Sequence, residues 1–117
     1  MVAERPMGEP SRQKKSSPAY QEIMEIKKQI ETLLSRMEKD GKFCPSRDTL
    51  DGIGEQMIHA CNRYHATIAL WDKYLKAAII DVTEVPIINA PELQRVSFRG
   101  AMQDAVMNLE QLLSGDW

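Results

Sequence analysis

Cysteine is scarce in this chain, with two in 117 residues. Two thiols cannot build a disulfide framework, and with this composition they point to a reducing compartment. Cytosol is the expectation, and a nucleus fits the same composition. Long apolar runs are missing as well. No stretch reaches the roughly 18 residues that a membrane span requires, so no membrane partner is expected. The opening segment MVAERPMGEPSRQKK has no apolar core, so no secretory signal is expected. Neither sign of charge dominates: 15 Lys and Arg against 17 Asp and Glu leave a net charge of −2. That balance by itself recruits neither nucleic acid nor an anionic membrane. Glycine-rich phosphate loops, paired carboxylates and an H-E-x-x-H motif are also missing, so neither an enzyme nor a cofactor is expected.

What is present is helical patterning. Residues 1–17 carry Pro6, Pro10 and Gly8 with several charges and almost no large apolar side chain. Such a segment cannot bury enough surface to offset its ordering entropy, and it reads as a disordered tail. Residues 18–117 form a single domain. Ser17 as N-cap and Pro18 at the first helical position open a helix over 18–39. Ile23, Ile26, Ile30, Leu33 and Met37 recur at steps of three and four along it. Asp40-Gly41 is expected to end it through glycine's left-handed geometry.

After a turn containing Phe43, Cys44 and Pro45, one long helix is expected over 48–80. Leu50, Ile53, Met57, Cys61, Tyr64, Ile68, Trp71, Leu75 and Ala78 keep one face apolar throughout. From Ile68 onward the apolar surface spreads round most of the circumference, through Tyr74, Ala77, Ile79 and Ile80. A straight helix of that length extends about 50 Å, against a diameter of roughly 35 Å for a compact domain of this size. It must therefore bend at Gly52 or Gly54, or have its ends covered by another subunit.

Val82, Val85, Pro86, Ile87 and Ile88 are poor in helix formers and describe an extended proline-containing connector anchored by Val85, Ile87 and Ile88. A last helix over 90–113 begins with Asn89 as cap and Glu92 completing a capping box. The predicted fold is all-α, a three-helix bundle built around one long central helix.

Candidate chemistry is thin. Cys61 and His65 stand four apart on one helical face, with Cys44 in the preceding turn as a conceivable third zinc ligand. Two paired ligand clusters are normal for a structural zinc site and only one pair exists, so no metal is expected and Cys61 reads as a core residue. A Cys61–His65 nucleophilic dyad lacks a visible orienting group or oxyanion donors. Basic residues Arg12, Lys14, Lys15, Lys27 and Lys28 belong to an N-terminal basic bias that Glu22, Glu25, Glu31, Glu38 and Asp40 partly balance, and mixed charge on an amphipathic helix usually marks a solvated face. They carry the alternative reading, a nucleic-acid-associated regulatory subunit. Arg95 and Arg99 read as an ordinary surface pair. The preferred reading is a non-enzymatic helical module that self-associates, as a homodimer or higher homo-oligomer, or binds another protein. Its expected interface is Ile68, Trp71, Tyr74, Leu75, Ile79, Phe98 and Met102.

Overall fold

The computed structural model describes residues 17–64 and 71–115, with the backbone alone at 71 and 72. Among the described residues it is all-helical, with four helices and no strand. These are α1 (Pro18–Lys39), α2 (Arg47–Tyr64), α3 (71–83) and α4 (Pro91–Leu113). Helix α3 opens with a π-helical turn, Trp71–Leu75, that continues into the α-helix Lys76–Thr83.

Local chemistry sets most boundaries. Ser17 Oγ accepts a hydrogen bond from Tyr20 N at 3.4 Å, with Pro18 in the first turn, so α1 starts as expected. Its end differs. Asp40 is extended (φ −124°, ψ 103°), and its carboxylate accepts from Lys42 N at 3.0 Å, so no left-handed glycine is needed. Ser46 Oγ accepts from Thr49 N at 3.1 Å and opens α2. At α4 the expected Asn89 capping box is replaced. Ala90 occupies the cap without a side-chain bond. Gln94 instead reaches back to the connector, accepting from Ile88 N at 2.6 Å and donating to Pro86 O at 3.0 Å. Ala90 lacks a hydroxyl or carboxylate, and Gln94 bonds only connector groups, so no side chain caps the amides of α4's first turn.

The single helix expected over 48–80 is two antiparallel helices. Helix α2 runs out to Tyr64 and α3 returns along it. Two contacts fix the reversal: a Cβ built on Gly54 would collide with Thr83 Cγ2, and Arg47 Nη2 donates to Thr83 O at 2.8 Å. In one straight helix residues 54 and 83 would lie roughly 44 Å apart. Gly54 is therefore the point of closest approach between two helices and not a kink.

The four helices form a closed ring. Each packs on its neighbours in sequence, α4 closes against α1, and the diagonal pairs do not meet among the described residues. Neighbours run antiparallel. Gln29 pairs with Gln56, and Arg63 bonds Glu22 at 2.5 Å, between α1 and α2. Asn108 Nδ2 donates to Asp81 Oδ2 at 2.8 Å between α3 and α4. This is the up-down-up-down arrangement that short connections favour.

The core draws on all four helices: Ile23, Ile26 and Ile30; Leu50 and Met57; Leu75, Ala78 and Val82; Phe98, Met102 and Leu109. Each fully buried Leu, Ile or Met contributes about 1.5–3 kcal/mol relative to exposure. Leu75, Ala78 and Val82 are thus covered inside the chain, between α2 and α4, while Ile80 stays exposed.

Candidate functional site

With the core filled, the apolar side chains that remain exposed become informative. They are Ile58, Ile80, Ile87, Leu93, Val96 and Met107, and four of these six belong to one region of the chain, residues 80–96. Leu93, Val96, Gly100 and Met107 lie within about 60° of one another round α4, on the face roughly 120–180° away from Met102. Ile80, one turn before the end of α3, borders the same face. It is 53% exposed, and Val96 is 52% exposed.

Between these two helices lies an open groove of about 420 Å³. Val85 and Ala101 form its apolar floor with Gly100, where an added Cβ would meet nothing within 4 Å. Ile80, Pro86 and Val96 also line it, and Asp81, Glu84 and Asp104 supply its charge. Asp81 is held above the usual carboxylate range, chiefly by burial and also by the charge of Asp104, while the hydrogen bond from Asn108 pulls the other way.

The connector supplies part of the groove's lining, through Val85 and Pro86. Val85 is buried as expected, Ile88 is half-buried, and Ile87 is 69% exposed, so only part of the expected anchoring occurs. Gln94 ties Pro86 and Ile88 to the start of α4.

A second open cavity of about 420 Å³ lies between α1 and α2, beside Leu33, Gly52 and Ile53. The Gln29 and Gln56 amides bond each other reciprocally at 2.7 and 3.0 Å on its wall, and no strongly exposed large apolar side chain borders it. It lacks the apolar rim of the α3–α4 groove.

The expected interface residues distribute differently. Leu75, Phe98 and Met102 are buried in the intramolecular core, which leaves them no surface for a partner without unfolding. Tyr74 and Ile79 are half-buried against that core. Ile68 and the Trp71 side chain lie outside the described residues. No sequence from known protein families, curated proteins or solved structures matches this chain. The chain's geometry is therefore the ground for a functional reading.

The two candidate cysteines do not come together. Cys44 and Cys61 flank opposite ends of α2, about 20 Å apart along its axis, too far to share one ion. Cys44 donates to Pro45 O at 3.5 Å, and burial pushes its thiol up, with Arg95 opposing. Cys61 is half-buried against the core, and His65 lies outside the described residues. Of the basic set, Lys27 is engaged by Glu31 at 3.0 Å and Glu110 at 3.7 Å. Lys28 is exposed, and Arg12, Lys14 and Lys15 lie outside the described residues.

Arg95 is not a surface residue paired with Arg99. Its guanidinium reaches from α4 across the end of α1, donating to Met37 O at 2.6 Å and Phe43 O at 3.0 Å. Arg47 does the same for α3 through Thr83 O. Two arginines thus close the C-terminal carbonyls of neighbouring helices at one end of the bundle.

Proposed function

We propose that this chain is a non-enzymatic helical interaction module that docks a partner protein on the face formed by the end of α3, the connector and the outer side of α4. One observation carries the reading. Ile80, Ile87, Leu93 and Val96 stay exposed within 17 residues of chain although every helix has filled its side of the core. Exposed apolar side chains concentrated beside a groove mark interaction sites more often than scattered ones do. This face is preferred to the one the amphipathic pattern suggests because Leu75, Phe98 and Met102 of that set are buried.

The test is a pair of surface substitutions, Leu93→Glu with Val96→Glu. Being exposed, they are expected to change folding stability by no more than about 0.5 kcal/mol each. They are also expected to abolish capture of the partners that the unaltered chain retains from its native source. Unchanged capture by a folded double variant would defeat the reading.

A further inference from the structure

We infer that the occupant of the α3–α4 groove is a cationic amphipathic helix, which lays a narrow apolar stripe between Ile80 and Val96 and sets Lys or Arg side chains against Asp81, Glu84 and Asp104. The inference rests on the docking face proposed above and names the chemistry of the partner. Three features of the groove lead to it.

The shape suits a helix. Two antiparallel helices leave a valley between them, and a third helix packs into such a valley through ridges and grooves. Gly100 widens the valley at its middle, since nothing occupies the space where its Cβ would stand. Small or β-branched apolar side chains could enter there and reach Val85 and Ala101 on the floor.

The charge is one-sided. Three carboxylates line the groove and no Lys or Arg does. Among the described residues none of the three takes part in a salt bridge, while Glu22, Glu31, Asp51 and Glu110 each have one. The crowding is felt within the groove, because Asp104 disfavours the charged form of Asp81. A cation placed there relieves that repulsion and gains a partly desolvated partner.

The same charges argue against the other occupants. A second copy brings the same three carboxylates to a self-complementary contact, and like-charge juxtaposition is a strong penalty. Nucleic acid would meet uncompensated acid where it needs cations.

The test uses the full chain labelled with nitrogen-15 and two synthetic peptides. One is a leucine–lysine amphipathic helix about five turns long, and the other carries glutamate in place of each lysine. Addition of the lysine peptide is expected to shift the amides of Ile80, Val96, Gly100 and Ala101 in a saturable way. Binding is expected to weaken about tenfold in the Asp81→Asn, Glu84→Gln, Asp104→Asn triple variant. The glutamate peptide is expected to leave those amides in place. Equal binding of both peptides in the groove would overturn the cationic partner and leave the docking face standing. So would groove amides that move with the protein's own concentration, since a second copy would then be the occupant. Amides that respond to neither peptide nor concentration would remove the docking face as well.

Discussion

Gly52 and Gly54 stand two residues apart on α2 and have opposite roles. Space is open around Gly52, whereas Gly54 lies against Thr83, whose hydroxyl is tied to Ile79 O at 2.7 Å. Gly52→Ala removes backbone entropy from the unfolded chain without a clash, and a gain of about 0.5–1 kcal/mol is expected. Gly54→Ala forces α2 and α3 apart, and a loss of about 1–3 kcal/mol is expected despite alanine's better helix propensity. Urea unfolding of the two variants checks both signs. Arg95→Ala leaves the carbonyls of Met37 and Phe43 without donors, and a loss of about 2–3 kcal/mol is expected by the same measurement. Lysine, with one compact ammonium, is expected to restore only part of it. Asp81 brings a pH dependence. Its folded carboxyl binds a proton more readily than the unfolded one, so its contribution is present at acid pH and is lost as pH rises through its folded pKa. Asp81→Asn is therefore expected to gain on the unaltered chain at neutral pH, with the gap closing near pH 4.

At the scale of elements, α1 and α4 were legible because their ends are written in local chemistry. Ser17-Pro18 starts one, Pro91 opens the other, and Ser114-Gly115 follows the last turn. The break in 48–80 was not legible. Residues 65–70 read His-Ala-Thr-Ile-Ala-Leu, with neither proline nor glycine, and the apolar steps Tyr64, Ile68, Trp71 and Leu75 run through them in phase. A hydrophobic period reports which face is covered, not whether the next turn continues or reverses. The usable signal was geometric, an apolar helix longer than its domain. The exposed apolar face of α4 was half-legible. Leu93, Val96, Phe98 and Met102 are all apolar, yet 100° per residue places the first two on a different side of the helix from Met102. The roles of Arg47 and Arg95 left no trace in the pattern, because each caps a helix distant in sequence. The Val96–Gly100 side of α4 also yields an element-scale expectation: Gly100→Leu would plug the valley and weaken binding of the lysine peptide about tenfold, with the thermal midpoint little changed.

At the scale of the molecule, part of the apolar surface that suggested a second copy is covered within the chain, because the expected central helix is two helices. Leu75, Ala78 and Val82 are buried between α2 and α4, and the apolar surface left exposed lies at the edge of the pattern, at Ile80. The location of the proposed docking face follows from that reversal, and the reversal can be measured directly. Spin labels at the exposed positions Asp51 and Glu84, in place of those side chains, report the distance between the start of α2 and the end of α3. The antiparallel pair is expected to hold them within about 20 Å, given that Arg47 bonds Thr83 O and Gly54 touches Thr83. A distance near 50 Å, that of one uninterrupted helix, would contradict the fold and with it the docking face.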